Sequence, residues 1–270
     1  MERDNLKKYV PSPLWKGASS IYWGWRNRGR HVLAQSFNSR WQKSKRELSM
    51  YHNMHQGKRC FVIGNGPSLK KIDLSHLRDE YTFGVNRIYL LFPELGFTTT
   101  YLVSVNELVL EQCAEDIKAL SLPKFITWRA RKYYIEDPQV IFLDTDYTGP
   151  ESFSPDMTKR VFEGFTVTYV ALQLTFYMGF EEVILIGVDH NFATKGLPNT
   201  TVISLGDDPN HFTPGDFGKG FRWQLPDLEG SERAYSLARN AFARSNRKVL
   251  DATIDGKLTV FPKVSYESLF

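Results

Sequence analysis

The chain has 270 residues, 42% hydrophobic and 24% charged, with a net charge of +4. This is an ordinary soluble composition, with length for one large α/β domain or two small ones and enough apolar residues to bury a core. No apolar run approaches the roughly 18 residues of a membrane span, and MERDNLKKYVPSP lacks the apolar heart of a secretory signal, so a cytoplasmic protein is expected.

The charge is unevenly placed. Residues 1–58 carry 12 Lys and Arg against 3 Asp and Glu, and four of the six tryptophans (Trp15, Trp23, Trp25, Trp41) lie there. Residues 1–57 therefore read as a basic, aromatic extension, with a helix from about Val32 to Tyr51 carried by Val32, Phe37, Trp41 and Leu48. Such an arm can rest on an anionic membrane surface at the inner face of a membrane, or pack on its own core or on another copy of the chain. No nucleic-acid-binding module is recognisable, so no nucleic-acid partner is expected.

From Arg59 onward short apolar runs alternate with helical segments. CFVI (60–63) is a buried-strand signal. TFGVN (82–86) and TTYLVSVN (99–106) are further strands ending in asparagine. Residues 107–120 read as a helix, with Leu108, Cys113 and Ile117 on one side. KFITW (124–128) and QVIFLD (139–144) are short strands, and 165–179 is an apolar helix stopped by Gly179. EEVILIGVD (181–189) is the clearest central strand. Residues 190–230 form a long Gly-, Pro-, Asn- and Asp-rich segment, followed by a helix over 231–245 and a last strand, KVLDAT (248–253). The two cysteines, Cys60 and Cys113, have no metal-like spacing and read as reduced core thiols.

Strands apolar on both faces, alternating with helices, predict a Rossmann-like, mostly parallel sheet with helices on both sides over residues 58–270. In such sheets ligands bind beyond the carboxyl ends of the strands. The residues expected at those ends are Asn65, Asn86, Asn106 and Asp189. Each alone could be a cap for the next helix or turn, but together they predict one polar crevice.

The turn after the first strand, Gly64-Asn65-Gly66-Pro67-Ser68, is the sharpest local signal. Its glycines allow positive φ and a ligand close to the backbone. Exposed N–H groups there can face an anion, and Ser68 can cap or donate to phosphate. The turn is neither a Walker loop nor G-x-G-x-x-G, since Leu69 stands where the third glycine belongs. By spacing it reads as a nucleotide or phosphate site, or as a plain tight turn.

The longer stretches GNGPSLKKIDLSHL, FGVNRIYL, VSVNELVLEQ and TVTYVALQLTFYMGFEEVILIGVDHNF resemble the bacterial lipooligosaccharide sialyltransferases. They also resemble the wider group named after an archaeal 6-hydroxymethylpterin diphosphokinase, the MptE-like proteins, especially its polysaccharide-associated members. The resemblance implies a glycosyltransferase that moves sialic acid or a related acid sugar from a CMP-activated donor to a glycan acceptor, without a required cofactor or metal. It implies nucleotide contacts from Asn65, Gly66 and Ser68 of the turn, and donor-facing roles for Asn86 and Asn106. Thr168 matches by position only, and Asp189 matches the acid after Gly-apolar. It also implies a histidine base beyond that strand. His211 lies in the corresponding region and His190 is its rival, since a His titrates near neutrality.

Some matches are missing. Arg160 is four residues too early for the family's arginine, where Gly164 stands. The tyrosine pair is not evident, with Asn191 at one expected position and Tyr169 and Tyr177 on a helix. Arg87, Arg222 and Lys219 are substitutes for handling leaving-group charge, with nothing in spacing to choose among them. Asp207-Asp208 reads as a loop turn. The 190–230 segment, with Phe212, Phe217, Phe221 and Trp223, reads as a lid or acceptor platform, or as a loop pinned by its own aromatics. Two other readings stand beside the transferase. One is a pterin diphosphokinase needing ATP and Mg²⁺, with Asp189, Asp207 and Asp208 as acids. The other is a non-catalytic scaffold in polysaccharide assembly.

Overall fold

The computed structural model describes residues 38–270 except positions 150 and 195, so most of the basic extension, and with it the expectation of a membrane or subunit contact, lies outside the described residues. Helix α1 (Ser39–Tyr51) is the described part of the helix expected from Val32. It starts where the Asn38 side chain accepts the Arg40 and Trp41 N–H groups at 3.0 and 3.2 Å, satisfying donors that the first turn leaves open. Ser44–Phe270 forms one compact unit. It takes in residues 44–57, because Leu48 is fully buried in the core and Ser44 Oγ accepts the Phe142 N–H at 3.0 Å.

Strands β1 (Arg59–Ile63), β2 (Thr82–Val85), β3 (Tyr101–Ser104), β4 (Lys124–Thr127) and β5 (Val140–Leu143) follow the expected apolar runs. Beyond them come β6 (Thr145–Asp146) and β7 (Val161–Phe162), a small parallel pair, then β8 (Glu182–Ile186). A two-stranded antiparallel ribbon of β9 (Thr201–Ile203) and β10 (Arg222–Gln224) interrupts the long segment expected to be irregular. β11 (Lys248–Asp251) closes the sheet. The main sheet has seven strands in the order β11-β8-β1-β2-β3-β4-β5, every pair parallel. The α/β Rossmann-like class expected from the strand pattern is what the structure shows.

Both faces of the central strands are covered. On β1, Cys60 and Val62 belong to the main core, while Phe61 and Ile63, on the opposite face by strand alternation, are equally buried. Cys60 and Cys113 are buried and unpaired. The expected helix 107–120 breaks at Cys113 into α2 (Glu107–Gln112) and α3 (Ala114–Lys118). Helix α4 (Val167–Tyr177) is apolar nearly all round and correspondingly buried. It ends as the sequence indicates: Gly179 takes φ +91°, its N–H reaches the Phe176 carbonyl, and the Phe180 N–H reaches the Thr175 carbonyl. This left-handed position is open to glycine at little cost. Helix α5 (Leu228–Arg244) begins three residues earlier than expected, because Asp227 accepts the Gly230 N–H at 2.8 Å and caps it.

The chain lays down β1 to β5 outward in one direction, then crosses back through α4 to place β8 on the other side of β1. The order therefore reverses between β1 and β8. Loops leaving the two strands must part there, which opens a crevice at their carboxyl ends.

Candidate active site

The crevice is a cleft of about 580 Å³ above the carboxyl ends of the strands. It gathers Gly64, Asn65, Gly66, Asn86, Asn106, Thr168, Asp189, His190 and His211. Pro67 and Ser68 are not among its lining residues.

The β1 turn is built differently from the expectation. Neither Gly64 nor Gly66 takes a positive φ, and Gly66 is extended at φ −69°, ψ 155°. Glycine is required by close approach instead. A Cβ on Gly64 would lie 2.8 Å from the Gly187 carbonyl carbon. One on Gly66 would lie 2.7 Å from the Gly187 oxygen and collide with the Asp189 carboxylate. The turn's amides are occupied as well. Gly64 N–H donates to Ile186, Gly66 N–H to Gly187, and Ser68 N–H to Asp189 Oδ1 at 3.1 Å. The Ser68 hydroxyl donates to Asp189 Oδ2 at 2.7 Å, so the donor expected for a phosphate is spent on the protein. Asp189, expected among the catalytic groups, has both oxygens committed to clamping the β1 turn to the β8 turn. Burial raises its carboxyl above the ordinary range, against the pull of the Ser68 bonds.

The asparagines at the strand ends do converge, each with a structural bond of its own. Asn106 caps α2, accepting from Leu108 and Val109 N–H. Asn86, left-handed at φ +49°, accepts the Ser104 hydroxyl at 3.1 Å. Asn65 donates to Asp216 Oδ2 at 3.1 Å, and its own Oδ1 is buried with no partner. A buried acceptor left open in a cleft wall is an invitation to a ligand donor.

The segment after β8 is tied onto this turn. The Phe212 N–H donates to the Asn65 carbonyl at 2.8 Å. Arg87 donates to the Gly215 carbonyl at 3.0 Å and to the Asp216 carbonyl, with its guanidinium over the Phe221 ring. Burial raises the Asp216 carboxyl, while His211, Asn65 and Arg87 hold it down. Phe212, Phe217 and Trp223 are buried, and Phe217 stacks on Phe221 at 4.7 Å, so these aromatics pack on one another within the loop. Arg87 is thus occupied by the loop and Arg222 by Glu111 at 3.0 Å, so neither is a free cation for a leaving group. Arg160 pairs with Asp144, and the Tyr169 and Tyr177 hydroxyls donate to the Ser152 and Leu48 carbonyls.

The loop carries a dyad that the sequence did not reveal. Asp208, expected to be part of a plain turn, is buried and accepts three bonds. The Asn210 N–H reaches Oδ1 at 2.8 Å, and the Phe217 N–H and His211 Nδ1 reach Oδ2 at 2.9 and 2.5 Å. Burial pushes its carboxyl up, but the bonds from His211 and the two backbone amides outweigh that and leave it below the usual range. With Nδ1 fixed on Asp208, His211 lines the cleft and Nε2 is the ring nitrogen left without a hydrogen bond. His190, left-handed at φ +53°, makes a second pair, with Nε2 3.0 Å from Glu232 on α5. Its partner is half-exposed, whereas Asp208 is buried.

A further charged group lines the cleft beyond Asn106. Arg129, following β4, donates to Glu107 at 2.5 Å, to Glu163 at 2.7 Å and to the Thr145 carbonyl and hydroxyl at 2.9 and 3.0 Å, with Tyr147 beneath its guanidinium. Burial raises the Glu163 carboxyl despite Arg129 and Thr145. No sequence signal joins these positions, which come from four separate strand ends.

The model of the 6-hydroxymethylpterin diphosphokinase MptE-like family matches residues 35–195, more than half of the chain. The protein belongs to the MptE-like family. Among solved structures, this MptE-like chain is similar to the MAf glycosyltransferase from Magnetospirillum magneticum AMB-1. The TM-score is 0.50 and the identity 15%, over 85% of this chain and 39% of that one. At that identity the likeness is one of fold, and the MptE-like chain spans well under half of that protein's length. No curated protein matches it. The family match covers the β1 turn, the strand-end asparagines, Thr168, Asp189 and His190, whereas the Asp208–His211 pair and its loop lie beyond it. Among the described residues of this MptE-like protein, no helix is long and apolar enough to cross a membrane.

Proposed function

We propose that the protein is a glycosyltransferase that moves an acid sugar of the sialic acid type from a CMP-linked donor to a glycan hydroxyl. Asp208–His211 is the observation that carries this reading. A histidine oriented by a buried carboxylate, lining a cleft with its other ring nitrogen left without a hydrogen bond, is the arrangement that general-base chemistry needs. The loop that carries it is tethered to Asn65 of the β1 turn, which supports a base working beside the strand ends, where ligands bind in folds of this topology.

In this reaction the acceptor hydroxyl gives its proton to His211 Nε2, and its oxygen forms the new bond to the anomeric carbon. The bond from that carbon to the phosphate oxygen breaks, and the electron pair leaves with CMP. Asp208 holds the ring in the tautomer that leaves Nε2 free and stabilises the imidazolium that forms. The amino end of α4, capped by the neutral Thr166, borders the cleft through Thr166 and Val167. Its helix dipole favours the charge growing on the phosphate. Asn65 and Asn86 supply side-chain amides toward the base and ribose. His211 is preferred to His190 as base because its carboxylate partner is buried.

Thermal-shift titration with CMP, UDP and ATP with Mg²⁺ tests the donor class, and a response to CMP alone is expected. His211→Ala is expected to abolish transfer from a CMP-linked acid sugar while CMP binding survives. Stabilisation by ATP with Mg²⁺ alone would move the protein to the diphosphokinase chemistry named in its family, and no response to any of the three would favour a scaffold.

A further inference from the structure

We infer that the far end of the cleft, over the ends of β3 to β5, is a subsite for the hydroxyl groups of an uncharged sugar, gripped by Glu107 and Glu163 and walled by Tyr147. Calling that sugar the acceptor rests on the transferase reading above; the subsite itself does not.

Position is the first argument. Glu107 follows β3, Arg129 follows β4, Tyr147 follows β6 and Glu163 follows β7. β4 lies three strands from β1 in the sheet, so at about 4.8 Å per strand the Arg129 group sits about 14 Å from the Gly64–Gly66 turn. All of these residues line the same cleft as His211. A nucleotide at the β1–β8 crevice therefore leaves this end open.

Hydrogen-bond capacity is the second. Arg129 uses Nε on Glu107, Nη1 on the Thr145 carbonyl and hydroxyl, and Nη2 on Glu163. Its fork is spent inside the protein and cannot receive a phosphate or carboxylate bidentately. The Thr145 hydroxyl is likewise directed to Glu163 Oε1, at 2.6 Å. In both glutamates it is Oε1 that these bonds engage, so Oε2 of each, on a residue that lines the cleft, takes no part in them. The subsite thus offers acceptors and almost no donors, and a ligand must bring hydrogens.

Charge is the third. Two carboxylates surround one guanidinium, so the group is net negative and repels an anion. Tyr147 is 60% exposed, with one ring face under Arg129 and the rest of the ring open. A flat aromatic wall beside paired carboxylates suits a pyranose, whose C–H face is apolar and whose hydroxyls are donors. Such a sugar fits better than a simple cation, because the Arg129 guanidinium already occupies one face of the Tyr147 ring.

The test is saturation-transfer NMR on the full chain with CMP present. The probes are the methyl glycosides of galactose, glucose, mannose, N-acetylglucosamine and N-acetylgalactosamine, beside methyl glucuronide and methyl galactosaminide. At least one neutral glycoside is expected to bind, and the uronide to bind at least about tenfold more weakly. Tyr147→Ala, at an exposed position, is expected to weaken the neutral glycoside severalfold with CMP affinity unchanged. Glu163→Gln is the second variant, expected to weaken the same glycoside. The proposal falls if no neutral glycoside binds, if the uronide or the amino sugar binds best, or if Tyr147→Ala leaves the neutral affinity unchanged. CMP titration separates the two readings. Neutral binding that depends on Tyr147 without CMP binding keeps the subsite and sinks the transferase, and the reverse pattern sinks only the subsite.

Discussion

Replacing Asp208 with Asn exchanges one carboxylate oxygen for an amide NH₂ and should disable the base. Asp208 Oδ1 accepts the Asn210 N–H, and Oδ2 accepts both the Phe217 N–H and His211 Nδ1. An asparagine has one acceptor oxygen. If that oxygen stays on Asn210, the new amide N–H₂ faces the Phe217 N–H and the imidazole. His211 relieves the conflict by accepting at Nδ1, which moves its proton to Nε2, the nitrogen without a hydrogen bond. Nε2 then holds a proton where it must take one. A positioned general base contributes about 10²–10⁴ in rate, and most of that is expected to vanish. The Phe217 amide also loses a charged acceptor, a cost of about 1.5–3 kcal/mol confined to the loop. Acidification provides a second readout. The folded carboxyl of Asp208 lies below its unfolded value of about 3.9, so its contribution is fully present above that pH and is lost as pH falls through the folded value. Asp208→Asn should flatten this acid-side loss of loop order. The assay is CMP release from a CMP-linked acid sugar, with CMP affinity by titration and loop order by limited proteolysis across pH. An Asp208→Asn rate within about tenfold of the parent, with CMP affinity intact, would refute the tautomer argument.

Gly66→Ala should cost about 1–3 kcal/mol by overpacking, because the added methyl meets the Gly187 carbonyl and the Asp189 carboxylate, and neither can retreat without opening the Ser68 clamp. A melting temperature equal to that of the parent would show that the two turns are not held in this contact. Arg87→Ala removes the donors to Gly215 and Asp216 and leaves a buried carboxylate with less compensation, a change worth about 3–5 kcal/mol where a buried pair is broken. Faster proteolysis within residues 205–221 is expected, with a smaller change in global melting; unchanged cleavage would separate Arg87 from loop anchoring.

Local sequence accounts for much of the frame. The apolar runs that became β1 to β5, β8 and β11 were readable because a strand buried on both faces needs an unbroken apolar stretch. Gly179 stops α4 because its left-handed conformation excludes most side chains. Asn106, Asn86 and Asn65 reach one cleft because parallel strands deliver their ends to one edge. Yet the same glycines in the β1 turn were open to a wrong reason. Their φ is ordinary, and what requires them is Gly187 and Asp189, more than a hundred residues away.

The chemistry of the cleft was decided at longer range. Asp208 looked like a turn residue because one of the amides it accepts belongs to Phe217, nine residues on, and its bond to His211 depends on how the loop folds and docks. Glu107, Arg129, Thr145 and Glu163 come together because the order of strands sets which ends are neighbours. Periodicity reports which face of an element is buried, since that is a property of consecutive residues. It is silent on which element lies alongside, since that depends on the path of the whole chain.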